Sequence, residues 1–192
     1  MDATAIDWTP GARAVLAAAS ELFYAHGLHA VGVEAVAERA GVTKKTLYDR
    51  FGSKERLVTE YLAARDRRWR HLVAERLDAA GPSAAEQLDA LFTAAREWAR
   101  AEGFNGCAML NAHAELGAGE HPAREVVAGQ KRWTLELFRG IAERSGAPRP
   151  EQLARALLLL HEGAVVSHGV GVVDDAFEAA RLAALALLPG TP

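Results

Sequence analysis

Residues 33–51 read VEAVAERAGVTKKTLYDRF, and this run decides the fold. Val33, Val36 and Ala37 recur at helical spacing and share one face. Gly41 follows, free to take the positive φ of a tight turn. Thr43 then caps a second short helix, predicted over 44–51, in which Leu47 and Phe51 are four apart and face inward together. Ala37 is small where two helices would cross, and Val42 is apolar where it can fill the gap between them. A short helix, a glycine turn and another short helix make a helix-turn-helix. Left on the outer surface are Thr43, Lys44, Lys45, Thr46 and Tyr48. Hydroxyls, ammonium groups and a phenol gather at a helix N-terminus whose free N–H groups favour phosphate. Such a surface suits the major groove of DNA. Lys54, beside Ser53 at the start of the next helix, is placed to meet a backbone phosphate. The plainer alternatives are that Lys44 and Lys45 only solvate a surface, Tyr48 is a half-buried core ring and Lys54 pairs with a carboxylate.

Working outward, glycine and proline divide the chain into helical pieces. Thr9-Pro10 caps and opens a helix that Gly27 ends near residue 26. Ser53 caps a long helix over 54–79, stopped by Gly81-Pro82. Further helices are expected near 84–101, 107–116, 122–145, 150–168 and 174–188. No segment alternates with period two between hairpin turns. The expected fold class is all-α, with about nine helices. An N-terminal three-helix helix-turn-helix DNA-binding domain, residues 1–56, is joined by a long helix to a helical effector-binding and dimerisation domain, residues 57–192.

Composition narrows the class. Half of the 192 residues are apolar and 24% are charged, which suits a globular core. The formal charge is only -3. From Thr43 to Leu72, however, nine Lys or Arg face four Asp or Glu, a local net of +5 that leaves -8 for the remainder. One DNA-facing region on an acidic protein accounts for this separation. Cys107 is the single cysteine, so no intrachain disulfide forms, which favours a reducing compartment. There is no basic-then-apolar leader and no apolar run long enough to span a membrane. The expected location is the cytoplasm.

From Arg13 to Leu57 the chain resembles the TetR family of bacterial repressors. The run AASELFYAHGLHAVGVEAVAERAGVTKKTLYDRFGSKERL carries the likeness. GCAMLNAHAEL and QKRWTLELF are similar to one C-terminal type in that family. The resemblance implies an all-helical homodimer that binds a palindromic DNA operator as a repressor and is released by a small-molecule effector. An activator, or a constitutive DNA-binding dimer without an effector, is the alternative. By position, Thr43 would cap the recognition helix and bond phosphate, and Lys44 would contact phosphate or a base edge. Thr46 would face the groove, and Tyr48 and Lys54 would contact phosphate. Lys45 departs from the pattern, since many relatives carry a small residue there, and its long arm could read guanine. Gly32 departs too, where Ser or Thr often caps the second helix. Asp49 is an unusual acid beside DNA, suited either to cytosine N4 or to a nearby arginine.

In the C-terminal two-thirds, Trp98, Phe104, Cys107, Met109, His113, Trp133, Leu137, His161 and His168 are the candidate ligand-binding residues. They offer the aromatic, soft and weakly polar lining of an effector pocket, and the expected effector is mostly apolar. Trp98 and Trp133 as ordinary core is the alternative. The last two helices are apolar on more than one face and need burial on more than one side. Leu158, Val165, Leu182 and Leu185 are the candidate dimer-interface residues. His161 and His168 match no strong metal-ligand spacing, so neither metal nor cofactor is expected. Catalysis is not expected either: there is no phosphate-cradling glycine loop, GxSxG or HExxH.

Overall fold

The computed structural model describes residues 6–103 and 105–190. Among the described residues are nine helices and no strand. They are α1 (Pro10–His26), α2 (Val33–Arg39), α3 (Lys44–Phe51), α4 (Lys54–Ala79), α5 (Ala84–Glu102), α6 (Ala108–Leu116), α7 (Ala123–Arg144), α8 (Pro150–Val170) and α9 (Ala176–Ala186). The candidate residue Phe104 lies outside the described residues.

The helix ends follow the capping chemistry. Thr9 Oγ1 accepts from Ala12 N–H at the head of α1, with proline in the first turn. Ser83 and Glu86 close a reciprocal capping box at the head of α5. Most ends fall within one residue of expectation; those of the last two helices differ by two, at residues 170, 176 and 186. The helix expected over 150–168 runs on to Val170 because it passes through Gly169 and stops at Gly171. There φ is +73° and the N–H turns back to the carbonyls of Ser167 and His168. The helix expected from residue 174 starts at Ala176, because Asp175 sits at φ +44°, outside the helical region.

The chain forms two compact units. One comprises the described residues through Arg65 together with 108–127, and the other runs over 66–107 and from 128 onward. Compactness thus divides the chain differently from the functional boundary expected at 56/57: α6 belongs with the helix-turn-helix. In the first unit, α1, α2 and α3 close on Val15, Ala19, Phe23, Val36, Leu47 and Phe51, all nearly fully buried. The Trp8 ring meets Phe51 edge-on at 6.2 Å, and Phe23 meets Tyr61 at 5.7 Å. In the second unit, α5, α8 and α9 pack around Leu88, Leu91, Phe92, Leu157 and Phe177, joined by Phe138 and Ile141 of α7.

Leu47 is wholly buried at the contact of α3 with α1 and α2. Leu47→Ala is expected to lower stability by about 2–5 kcal/mol, measured as a shift of the urea midpoint at constant slope.

Candidate nucleic-acid interface and buried polar cluster

On α3 the two inward residues dictate what faces out. With Leu47 and Phe51 buried, Thr43, Lys44, Lys45 and Tyr48 are exposed, while Thr46 and Lys54 are half-buried. The helix is stopped on both sides by backbone chemistry. Thr43 Oγ1 accepts from Thr46 N–H at 3.1 Å and shares a hydrogen bond with the Thr46 hydroxyl at 2.9 Å. Gly52 ends the helix at φ +72°. Ser53 Oγ then accepts from Arg56 N–H at 3.1 Å and caps α4, which sets Lys54 in the first turn next to α3. Gly32 caps α2 without any side-chain hydrogen bond.

The charged arms are tethered to neighbouring acids. Lys44 Nζ donates to Glu34 Oε1 of α2 and lies 6.0 Å from the Tyr48 ring centroid. The hydrogen bond from Lys44 holds the Glu34 carboxyl below its ordinary range, and Glu34 holds the Lys44 ammonium above its own. Lys45 Nζ donates to Asp49 Oδ2 at 2.6 Å, one helical turn on. The partner of Asp49 is therefore Lys45, neither an arginine nor a free acid over the groove. Exposed pairs of this kind contribute little to stability, so a phosphate can replace the carboxylate at little cost. Behind these residues is a concavity of about 400 Å³ lined by Leu28, His29, Tyr48, Lys54, Leu116 and His121.

Glu115 of α6 escaped the sequence reading. Its carboxylate accepts from the backbone N–H of Leu28 at 2.9 Å and of His29 at 2.8 Å. The loop that leads from α1 to α2 is therefore clamped by a residue more than eighty positions away. Gly27 stands at φ +88°, and a Cβ there would come within 3.0 Å of Glu115 Oε1. No local pattern could have revealed a contact at that separation.

The second unit contains a polar chain inside an aromatic shell. Lys131 Nζ of α7 donates to both carboxylate oxygens of Glu162 on α8, at 2.8 and 2.9 Å, and to Cys107 Sγ at 3.5 Å. His161 Nδ1 lies 3.4 Å from Glu162 Oε1, and the His161 side chain is only 5% exposed. Around the imidazole stand Trp69, Phe92 and Phe138, with ring centroids at 6.0–6.2 Å. Trp98 meets Trp69 edge-on at 5.7 Å. Burial pushes the Glu162 carboxyl up, but His161 and Lys131 beside it pull it down further, to about 2. Of these two, Lys131 has the better hydrogen-bond geometry.

The other candidates scatter. Trp133 is half-buried under the Arg70 guanidinium, 4.7 Å from its centroid, and Leu137 packs against the core cluster. His168 lies at the far end of α8, its ring 5.2 Å from Phe177. Met109 is buried in the first unit, whereas His113 on the same helix is exposed. Leu158, Val165 and Leu185 pack against the core, and of the four interface candidates only Leu182 is exposed, at 55%. The large apolar residues that α8 does present outward are Leu159, Val166 and Val170. Among the described residues no group of three or more His, Cys, Asp or Glu is placed to hold a metal ion. None of the helices is long and apolar enough to cross a membrane.

Residues 15–61 match the model of the bacterial regulatory proteins of the tetR family. The HTH-type transcriptional activator FasR of Mycolicibacterium smegmatis is 47% identical over 60 residues, which are 31% of this chain and 26% of FasR. The chain thus aligns with about a quarter of that relative's length. A TetR-family transcriptional regulator of Streptomyces coelicolor is 29% identical, with a TM-score of 0.86 over 93% of this chain and 96% of that one. A protein of Streptomyces avermitilis named as a TetR transcriptional regulator is 32% identical, with a TM-score of 0.72 over 92% of this chain and 98% of that one.

Because the Glu162 carboxyl is held down in the folded chain, its stabilising effect is full above about pH 4.5 and is lost as the pH falls toward 2. In urea unfolding, wild type is expected to exceed Glu162→Gln by about 1–3 kcal/mol at pH 6, with the difference shrinking between pH 4.5 and 2.

Proposed function

The chain belongs to the TetR family of bacterial regulatory proteins, and from that premise we propose that it is a homodimeric repressor which leaves a palindromic operator when a small molecule binds among its C-terminal helices. Its general role, DNA-binding transcriptional regulation, is that of the family, whose members are regulators and not enzymes. The observation that carries the reading is α3 itself. Its buried Leu47 and Phe51 turn Thr43, Lys44, Lys45 and Tyr48 outward together, with Lys54 one turn of chain away. In this reading Thr43, Tyr48 and Lys54 hold phosphate, which sets position, while Lys44, Lys45 and Thr46 approach base edges, which sets sequence. Residues 1–56 read DNA, and residues 57–192 bind effector and partner.

Two copies are needed because one eight-residue helix reads only a half-site. A two-fold dimer brings a second α3 into the groove one turn away, about 34–36 Å along the duplex. The apolar outer faces of the last two helices supply a surface for this. Leu159, Val166 and Val170 lie on one stripe of α8 and are 50–71% exposed, and Leu182 and Leu187 of α9 are 55% and 47% exposed. Burying such stripes against a second copy gives a four-helix contact.

An effector acts by binding the DNA-incompetent arrangement more tightly than the competent one. A coupling of about 1–3 kcal/mol lowers operator affinity some 5–150-fold. The long helix α4 is the proposed lever, since it begins beside the recognition helix and continues into the second unit. FasR is named an activator, but its likeness lies in the stretch that reads DNA, and that stretch does not set the sign of regulation. A reporter driven from the operator decides it: deletion of the protein raises expression from a repressed promoter and lowers it from an activated one.

In gel shifts against the DNA flanking its gene, affinity is expected to fall steeply with salt. Tyr48→Phe and Lys54→Ala should weaken binding to all sequences alike, and Lys54→Ala should reduce the salt slope by about one. Lys45→Ala should instead change base preference at one operator position. Equal binding by wild type and a Lys44→Ala, Tyr48→Ala double variant contradicts the assignment of this face.

Sedimentation at micromolar concentration should give twice the chain mass of 20.5 kDa. Val166→Glu should give a monomer with unchanged helical circular dichroism, because its side chain is half exposed in the single chain.

A further inference from the structure

Burial in the second unit leaves several polar atoms without partners. His161 is 4% exposed, Trp69 6% and Gln130 6%. Nε2 of His161, the indole N–H of Trp69 and the amide oxygen of Gln130 have no hydrogen-bond partner among the described residues, and Nδ1 of His161 has only the Glu162 carboxylate, 3.4 Å away. His161 and Trp69 face each other, ring centroids 6.2 Å apart. Folded proteins rarely leave such groups unpaired, and when they do the site commonly holds water or a ligand.

The hydrogen-bonding character of these atoms is mixed. Trp69 can only donate, the Gln130 oxygen can only accept, and neutral His161 does one at each nitrogen. The formal charges, by contrast, are already matched, although Asp66 Oδ1 has no hydrogen-bond partner among the described residues. Glu162 is paired with Lys131 through two hydrogen bonds, and Asp66 with Arg70 at 2.8 Å. A charged ligand entering this interior would find no counter-charge left, and burying an uncompensated charge is strongly unfavourable. The surrounding rings of Phe92, Phe138 and Trp98 favour a flat apolar body.

We propose that His161, with Trp69, receives the head group of the effector, and that this effector is a neutral, flat, largely apolar molecule carrying a group that both donates and accepts, such as a hydroxyl or a carboxamide. The inference rests on the reading of the chain as an effector-responsive regulator and names the ligand class of that site. His161 is the selecting residue: with Nδ1 turned to the Glu162 carboxylate, its Nε2 accepts from the hydroxyl. The pair of Lys131 and Glu162 stays closed and excludes acids and amines.

The test uses the full chain and matched trios of probes on phenyl, naphthyl and biphenyl scaffolds: for the naphthyl set, naphthalenemethanol, naphthoate and naphthylmethylamine. Binding is followed by calorimetry and by tryptophan fluorescence. On at least one scaffold the alcohol should saturate wild type and bind at least tenfold more tightly than its acid and its amine. His161→Phe, which keeps a ring inside the aromatic shell, should weaken the alcohol tenfold or more. Trp69→Phe should weaken it by a smaller factor, giving a second variant should His161→Phe lose its fold by circular dichroism. Equal affinity in these variants, an acid or amine that matches the alcohol, or no alcohol bound on any scaffold overturns the proposal and leaves a cluster satisfied by water. The same alcohol is then added to the operator complex. Release supports both readings, whereas His161-dependent binding without release keeps the site and overturns the effector role.

Discussion

An eight-residue helix has almost no stability of its own in water. α3 stands because Leu47 and Phe51, four residues apart, are completely buried against the helices that precede it. Everything the N-terminal unit presents follows from those two anchors. Once they point inward, positions 44, 45 and 48 have no choice but to point outward. Thr43 and Gly52 then close the two ends, so the exposed face has one length and one orientation. The ion pairs Lys44–Glu34 and Lys45–Asp49 hold the arms in place without holding them tightly. They are exposed pairs in high dielectric, and a nucleic-acid phosphate competes with them on even terms.

The second unit is organised by the opposite constraint. There the polar groups are inside, and each unpaired one opposes folding by about 1–3 kcal/mol. Lys131 and Glu162 meet this constraint by pairing through two hydrogen bonds. Relative to an apolar replacement such a pair contributes little net stability, but losing one partner leaves a half-buried charge alone. The pair therefore fixes the mutual placement of α7 and α8 more than it strengthens the fold. His161 sits at its edge, surrounded by aromatic rings that cannot satisfy its nitrogens. A polar point inside an apolar shell discriminates between ligands, because a molecule that fails to match it pays the desolvation of both.

Two helices, α4 and α7, each contribute residues to both compact units. Within the N-terminal unit Glu115 adds a tether. By accepting from the amides of Leu28 and His29, it ties α6 to the loop that sets α2, and α2 is the element against which α3 packs. α6 starts directly after Cys107, the residue whose sulfur receives the Lys131 ammonium. The polar cluster and the clamp thus lie at opposite ends of one short stretch of chain.

The sequence by itself determined the elements and which residues α3 turns outward. Both rest on local physics: helical spacing of Leu47 with Phe51, caps at Thr9, Thr43 and Ser53, and stops at Gly27, Gly41 and Gly52 act within a few residues of one another. The run AASELF to KERL was specific enough to point to the family. Where local signals were doubled the ends moved, as at Gly169 and Gly171. The partners of the polar groups were decided only by the tertiary structure. Asp49 turned to Lys45, Glu115 to a distant loop, and Lys131 to Glu162 and Cys107, because a long side chain reaches whatever folding brings near it. The same holds for the faces of α8. Leu157 to Leu160 are four consecutive leucines with one composition and one helix propensity. Only the position of α9 and α5 determines that Leu157 is wholly buried while Leu159 remains 71% exposed.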